Sequence, residues 1–366
     1  MAKKSDEVVQ DDSNKDIDKK NTSKQLELTK KALLKKYGSV ITTLSDHEDL
    51  DIPTLSTGSI GLDIALGNGG VGLGRIYEVF GPPSSGKTTL AANIIIQAQR
   101  RGLKCLYIDA EHAIDPTLLS KYGVNVSELD VVQGFDGEEN LDILEKLVET
   151  GEYSVAVVDS VSALIPRSEA EADIEKDFIG TQARLIGKAA RRLTPLANHT
   201  NTLILFINQL RSKIGAYGDG KIATGGEGLP YFCTGRISVK GGEASSRRIT
   251  DSISGDVVGH KTIFEVHKNK LAAPWKKAEI NLYYGIGYDT HAEALSLAVS
   301  LGIIDKTGAW YKRDGENFAQ GEANAVAYLK DPTNKDFYIE ICRNIIEQTE
   351  LKEKYERHKQ QGPIFA

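Results

Sequence analysis

The stretch Gly81-Pro82-Pro83-Ser84-Ser85-Gly86-Lys87-Thr88 fits the phosphate-binding pattern G-x-x-x-x-G-K-[ST]. Residues 75–80 before it are rich in β-branched and aromatic side chains and predict a strand, and residues 89–98 after it predict a helix. In that context the backbone N–H groups of the loop and the positive N-terminus of the helix bind phosphate. The sequence therefore predicts a site for a nucleoside triphosphate.

Two side chains of this loop have defined chemistry in such sites. Lys87 is expected to reach the β- and γ-phosphates, and the Thr88 hydroxyl is expected to bind Mg²⁺. The other predicted nucleotide-binding residues of the segment are Gly81, Pro82, Pro83, Ser84, Ser85, Gly86 and Thr89.

The composition places the chain among soluble globular proteins. Its 366 residues are 40% hydrophobic and 26% charged, and no apolar run approaches the roughly 18 residues of a membrane span. The charged N-terminus has no apolar signal core, so a cytoplasmic location is expected. The net charge of −6 argues against indiscriminate coating of nucleic acid but allows a local basic groove. The three cysteines lie far apart, which favours buried thiols over a metal or redox site.

The sequence divides into segments of different composition. Residues 1–22 are polar and predict a disordered tail, and residues 23–54 predict a helix followed by a short strand at Val40 and Ile41. A lone helix and strand have no core of their own, so this segment must dock on another surface. Residues 55–288 predict an ATPase core, 289–348 a small α+β domain, and 349–366 a charged tail.

The core segment predicts an α/β fold with a twisted, mostly parallel central sheet flanked by helices. Apolar runs at 105–108, 155–158 and 203–207 are typical of strands buried on both faces, and they alternate with helical stretches. The carboxyl ends of such strands meet at one crevice, where the ligand binds. Later segments alternate apolar and polar residues, which predicts a more antiparallel extension.

Polar side chains follow these three runs. Asp159 has the position of a Walker B carboxylate that holds Mg²⁺. Glu111 could orient or deprotonate an attacking water, although a carboxylate after a strand is often only solvated. Gln209 is uncharged and could sense a γ-phosphate without adding repulsion. For Glu111 and Gln209, the residues alone leave both interpretations open.

Several blocks of the sequence together resemble the RecA family of homologous-recombination ATPases. They are GPPSSGKTT at 81–89, IDAEHAIDP at 108–116, AVVDS at 156–160, FINQLRSKIG at 206–215, TGG at 224–226 and HKNKLAAP at 267–274. The resemblance runs in order from about residue 23 to about residue 330, and it implies a RecA-type P-loop fold. It also implies an ATPase that forms a filament on single-stranded DNA and exchanges strands with a duplex.

The resemblance implies roles for residues outside the phosphate loop. Glu111 is expected to activate water, and Gln209 is expected to couple the γ-phosphate to a DNA-binding loop. Lys268 and Lys270 are expected to reach the nucleotide of a neighbouring protomer, although spacing alone also fits two solvated lysines. The remaining implied positions are Asp115, Leu118 and Tyr284 at the nucleotide base and Tyr231 at the protomer contact.

The resemblance also implies a DNA-binding face made of a helix and two loops. Arg184, Lys188 and Arg191 recur at helical spacing on one face. A charge run is usually a solvated face, and only the family match favours DNA here. The further implied DNA-binding residues are Ile179, Arg211, Lys213, Tyr217, Lys221, Gly225 and Gly226.

Some positions depart from the family pattern. Leu118 stands where an aromatic residue is usual, Pro230 replaces a usual lysine, and the second DNA loop is one residue shorter. These features indicate a divergent member of the family. It is expected to act in a bacterial cell or, if it is virus-encoded, in the host cell. Single-strand-binding proteins and repressors are further candidate partners. The alternatives are an ATP-gated single-stranded-DNA-binding filament with weak strand exchange and a RecA-fold ring helicase.

Overall fold

The structure is a computed structural model that describes residues 12–38, 52–173, 178, 180–212, 221–349 and 351–352. The chain divides into two units, of which the first ends at Ile52 and the second begins at Pro53. In the described part, no helix is both long enough and apolar enough to cross a bilayer.

The helices of the described residues are α1 Asp12–Tyr37, α2 Ile60–Leu66, α3 Lys87–Arg100, α4 Pro116–Tyr122, α5 Gly137–Glu149, α6 Arg167–Ala170, α7 Thr181–Thr200, α8 Gly228–Phe232, α9 Thr290–Ser300, α10 Glu322–Lys330 and α11 Lys335–Glu347. The strands are β1 Thr54–Leu55, β2 Val71–Gly72, β3 Ile76–Gly81, β4 Lys104–Asp109, β5 Leu129–Val132, β6 Tyr153–Asp159, β7 Leu203–Ser212, β8 Lys221–Ala223, β9 Gly235–Lys240, β10 Arg248–Thr250, β11 Val257–Asn269, β12 Lys277–Tyr283, β13 Gly287–Tyr288, β14 Asp305–Thr307, β15 Trp310–Arg313 and β16 Glu316–Gln320.

The first unit contains α1, which begins at Asp12 and not near residue 23 as predicted. The predicted disorder of residues 1–22 is therefore wrong from Asp12 onward. Leu26, Leu28 and Tyr37 are more than half exposed on α1. The strand predicted at Val40 and Ile41 lies outside the described residues.

The second unit is built on the predicted central sheet, with strand order β13-β12-β11-β9-β3-β7-β6-β4-β5. The block from β9 to β5 is parallel, because β3 pairs in parallel with both β7 and β9, and β4 with both β5 and β6. The alternating segment 236–240, expected to belong to the antiparallel extension, is parallel to β3, so the extension begins at β11 beside β9. Strand β9 lies between β3 and β11. It runs parallel to β3 and antiparallel to β11, so it is the last strand of the parallel block.

Both faces of the parallel block are covered by apolar side chains. Helix α3 buries Leu90, Ile94 and Ile95 on one face, and α7 buries Ile186 and Leu193 on the other. Burial of one such side chain contributes about 1.5–3 kcal/mol to folding. This packing fixes the strands whose carboxyl ends carry the predicted functional residues.

The C-terminal residues 289–348 form three helices and a small antiparallel sheet, β14-β15-β16, around a separate apolar cluster. Glu293 of α9 joins this part to the core, since its carboxylate accepts hydrogen bonds from the backbone N–H groups of Ile60 at 3.1 Å and Gly61 at 3.0 Å. Burial raises the pKa of Glu293 to about 8. The predicted tail 349–366 lies mostly outside the described residues.

Candidate nucleotide site and nucleic-acid face

The predicted phosphate loop lies between the end of β3 and the start of α3. Gly81 has no room for a side chain, because a Cβ atom there would lie 2.2 Å from the carbonyl oxygen of Val239. Gly86 precedes α3 with a φ of 102°, and Ser84 has a φ of 56°. These turns lead directly into the first turn of α3, whose N–H groups have no helical partners and can therefore bind an anion.

Lys87 is held on this loop as a buried cation. Its ammonium group donates hydrogen bonds to the carbonyl oxygens of Pro82 at 2.7 Å and Gly81 at 3.2 Å. Burial lowers the pKa of Lys87, and the charges of Asp159 and Glu111 oppose that shift. A phosphate group on the loop would offer this cation a stronger, charge-assisted acceptor than a carbonyl oxygen.

Thr88 and Asp159, the two predicted metal ligands, meet at the tip of β6. Oδ2 of Asp159 accepts hydrogen bonds from the Thr88 hydroxyl at 3.1 Å and from the Tyr107 hydroxyl at 2.6 Å. Burial raises the pKa of Asp159, and the nearby charge of Glu111 adds to the rise. Mg²⁺ is usually bound by one or two such oxygens, completed by water and substrate phosphates. The pair fits that ligand set, and the described residues hold no larger His, Cys, Asp and Glu cluster suited to a metal.

Glu111 and Gln209 are joined across the crevice. The Gln209 side-chain amide donates a hydrogen bond of 2.8 Å to Oε1 of Glu111, and the Ser160 hydroxyl donates to the same oxygen. Two fixed donors on one oxygen set the orientation of the carboxylate. Ser160 was not among the predicted site residues, although it directly follows Asp159 in the sequence.

Asp109 shapes the loop that carries Glu111 and was also not predicted to be functional. It is buried at the end of β4, where its carboxylate accepts hydrogen bonds from the backbone N–H groups of Ala113 at 3.1 Å and Ile114 at 3.2 Å. The Gln133 side chain donates a third hydrogen bond of 2.8 Å. The Asp109 carboxylate therefore fixes the backbone at Ala113 and Ile114, shortly after Glu111.

The predicted base-binding residues line two adjoining cavities of about 160 and 320 Å³ beside the phosphate loop. Asp115 caps α4 by accepting a hydrogen bond from the Thr117 N–H, and it lines the smaller cavity. Leu118 lines both cavities, and Tyr284 lines the larger one. Tyr122 lines both as well and was missed, because its spacing on α4 equally fits a core position.

The predicted DNA-binding helix is α7. Arg184, Lys188 and Arg191 are exposed along it. Gly225 and Gly226 adopt left-handed φ angles of 89° and 71°, and a Cβ atom at Gly226 would lie 2.8 Å from Cβ of Ala183. The glycine turn therefore packs closely against the start of this helix.

The strand that carries Gln209 does not end there, contrary to the prediction. Strand β7 continues to Ser212 and pairs with β8 in antiparallel register, with Arg211 opposite Ile222. The polar residues after position 207 stay extended because residues 221–223 supply backbone hydrogen-bond partners. Arg211 and Lys221 lie in this hairpin, whereas Ile179, Lys213 and Tyr217 lie outside the described residues.

Lys268 lies at the end of β11 and Lys270 directly follows this strand, and neither lysine is among the residues that line the nucleotide cavities. The Lys268 ammonium donates to the carbonyl oxygens of Pro230 at 2.7 Å and Tyr231 at 2.9 Å. Burial lowers the pKa of Lys268, and the neighbouring Lys270 adds to this shift. The Tyr231 side chain is 74% exposed. The structure thus joins Lys268 to the predicted protomer-contact residue Tyr231.

A buried polar network links β3, β7 and the glycine turn, and no sequence pattern indicated it. The Asn208 side-chain amide donates to Oε1 of Glu78 at 2.8 Å and to the carbonyl oxygen of Thr224 at 2.7 Å. Glu78 is fully buried and forms an ion pair with Arg236. Asn208, the neighbour of Gln209 in β7, therefore binds the start of the glycine turn to this strand.

A mostly parallel sheet with a phosphate loop, and with the carboxylates of Asp159 and Glu111 at neighbouring strand ends, is typical of a P-loop NTPase of the RecA type. Matches to the RecA N-terminal domain and the RecA C-terminal domain cover residues 24–289 and 292–350. The chain is 42% identical over 328 residues to Protein RecA of Colwellia psychrerythraea. The aligned region covers 87% of this chain and 93% of that protein. The chain is also 44% identical over 306 residues to Protein RecA of Rhodopseudomonas palustris, with coverages of 83% and 85%. The chain belongs to the RecA family of DNA-dependent recombination ATPases.

Proposed function

We propose that this protein binds ATP and Mg²⁺ at the crevice between the phosphate loop and the strand tips. The observation that carries the proposal is the convergence of Lys87, Thr88, Asp159 and Glu111 on one crevice. Lys87 and the α3 N-terminus would hold the phosphates, while Thr88 and Asp159 would hold the metal. Mg²⁺, when bound, neutralises charge on the phosphates.

Glu111 is the proposed general base for water attack on the γ-phosphate. A general base must lie within hydrogen-bond reach of the water, and a fixed carboxylate at the crevice meets that requirement better than a mobile one. The Gln209 and Ser160 donors hold one carboxylate oxygen, so Oε2 is the oxygen proposed to take the proton.

Gln209 is the proposed link between ATP and DNA. Its amide has two N–H donors, one of which bonds Glu111, and a γ-phosphate oxygen in the crevice would be a new, charged acceptor for this group. The strand beyond Gln209 enters the β7–β8 hairpin, and the adjacent Asn208 holds Thr224 of the glycine turn. A change at Gln209 thus has a direct path to the proposed DNA-binding residues.

The proposed partners are single-stranded DNA, double-stranded DNA and further copies of this chain in a filament. The exposed cations of α7 support phosphate contacts, and the exposed Tyr231 with the adjacent Lys268 supports a protomer contact. Lys268 and Lys270 are proposed to act on a neighbour's nucleotide, because they do not line the cavities of their own chain. Single-strand-binding proteins and repressors are proposed as further partners, and the cytoplasm is the proposed location.

The experiment that tests this function is a joint-molecule assay. The protein is incubated with ATP, circular single-stranded DNA and homologous linear duplex, with a non-homologous duplex as control. Joint molecules that require both ATP and homology support the recombinase. A filament that forms with ATP but yields no joint molecules would support the ATP-gated binding protein, and unwinding of duplex without pairing would support the helicase.

Gln209→Ala is expected to uncouple DNA affinity from the nucleotide. A ligand shifts a two-state equilibrium only through contacts that differ between the two states, and the Gln209 amide is the proposed contact of this kind. Its loss should therefore leave ATP affinity in the absence of DNA nearly intact. The difference in single-stranded-DNA affinity between ATP-analogue and ADP conditions should then shrink to less than about threefold. DNA titrations under both nucleotide conditions measure it.

Two further variants serve as controls for these DNA titrations. Gln320→Ala removes an exposed amide from β16 and should preserve the difference. Arg191→Ala should weaken DNA binding in both nucleotide states and reduce the salt slope by about one. A Gln209→Ala protein that keeps the full nucleotide-dependent difference would place the switch elsewhere.

A further inference from the structure

Three buried polar atoms without a hydrogen-bond partner in the described part of the chain lie against the phosphate loop. They are Ser85 Oγ, Thr262 Oγ1 and His260 Nε2. Buried polar atoms are normally paired, so such a group beside a binding site calls for an explanation. His260 differs from the other two, because its second nitrogen reaches the opposite wall of the nucleotide cavity.

His260 lies on β11 and is 1% exposed. Its Nδ1 is 3.2 Å from the Tyr284 hydroxyl, and the two rings are 5.6 Å apart. On the other side, the ring packs against Gly241, where a Cβ atom would lie 2.7 Å from His260 Nε2 and 2.8 Å from Cα of Ser85. The imidazole therefore spans the space between the phosphate loop and Tyr284.

The surroundings set the protonation of this imidazole. Burial lowers the pKa of His260 and Arg247 adds to the shift, while contact with the Ser85 backbone and the charge of Glu243 oppose it. The ring is therefore neutral at pH 7. Nδ1 accepts from the Tyr284 hydroxyl in one neutral tautomer and donates to it in the other, so either tautomer joins the two side chains.

We propose that His260 is a positioning residue that holds Tyr284 against the nucleotide base and fixes this wall relative to the phosphate loop. The inference rests on the proposed placement of the base between Leu118 and Tyr284. Tyr284 is half exposed, and an anchored ring loses less conformational freedom on binding than a free one. Leu118 offers no π-face, so Tyr122 and Tyr284 are the tyrosines that line the larger cavity, and the anchoring of Tyr284 should affect base discrimination.

The test uses displacement of a fluorescent ATP analogue, without DNA, by ATP, by CTP and by inorganic tripolyphosphate. His260→Gln and Tyr284→Phe should each weaken ATP binding about threefold to tenfold, the range of one neutral hydrogen bond. The double variant should lose no more than the larger single loss, because both changes remove the same contact. Tripolyphosphate affinity should change less than twofold, so the preference for ATP over CTP should fall. The matched control is His199→Gln on an exposed histidine of α7.

The outcomes separate this inference from the proposed function. Equal losses for ATP and tripolyphosphate in the variants would reduce His260 to a structural support of the phosphate loop and overturn the inference. Unchanged ATP affinity in Tyr284→Phe, whose fold is the least disturbed, would also overturn it. A wild type that binds neither ligand would instead contradict the nucleotide site itself.

Discussion

Lys87→Ala is expected to abolish ATP hydrolysis, with a loss of at least about 10²-fold. The side chain is a buried cation bonded to the carbonyl oxygens of Pro82 and Gly81, placed next to the carboxylates of Asp159 and Glu111. Its removal takes away the positive charge that offsets these carboxylates, so a polyanionic phosphate chain would meet uncompensated repulsion. ATP-dependent DNA binding should disappear together with hydrolysis. Steady-state phosphate release and DNA binding with and without ATP measure both effects.

The matched control is Lys104→Ala. Lys104 is an exposed lysine at the start of β4, paired with Glu152 at the sheet end opposite the crevice. Its loss should leave hydrolysis within about twofold, since exposed ion pairs contribute little. Hydrolysis by Lys87→Ala within tenfold of the wild type would contradict the assignment of residues 81–88 as the phosphate loop.

Glu111→Gln should separate hydrolysis from binding. The amide has the same shape and its oxygen can still accept the hydrogen bonds from Gln209 and Ser160, but it cannot take a proton from water. Loss of a general base typically costs about 10²- to 10⁴-fold in rate. Single-turnover hydrolysis should fall by this factor while filaments on single-stranded DNA persist with ATP, because product formation no longer releases them.

The control for this variant is Glu152→Gln, which neutralises an exposed carboxylate at the start of β6. Both proteins should retain wild-type affinity for ATP. Equal loss of filaments and hydrolysis in Glu111→Gln would assign the residue a structural role, in which case the base must be sought among other groups of the crevice.

The phosphate loop and the strand tips could be predicted from the sequence because their signals are local. A glycine-lysine pattern between a strand and a helix is contiguous, and Asp159 directly follows the run of apolar residues in β6. The sequence also placed Glu111 and Gln209 at one crevice. It could not show that these side chains bond each other, since that contact joins residues 98 positions apart.

The remaining features depend on tertiary pairing. Strand β5 lies at the open edge of the sheet and has only four residues including Asp130, so its pattern is too short to predict a strand. The extension of β7 beyond Gln209 depends on β8, and the bond from Asn208 to Glu78 spans 130 positions. His260 was overlooked for the same reason, because a lone histidine in an alternating strand gives no sign of Tyr284 beyond the turn.

Single-stranded DNA should control ATP hydrolysis by this protein. We propose that Glu111, held by Gln209 at the head of the proposed DNA-binding hairpin, acts as a base only when DNA and neighbouring protomers are engaged. Steady-state hydrolysis by the wild type, measured with and without a long single strand, should rise by at least about tenfold on addition of the strand. A rate that is high without DNA and unchanged by it would contradict the coupling between the two sites.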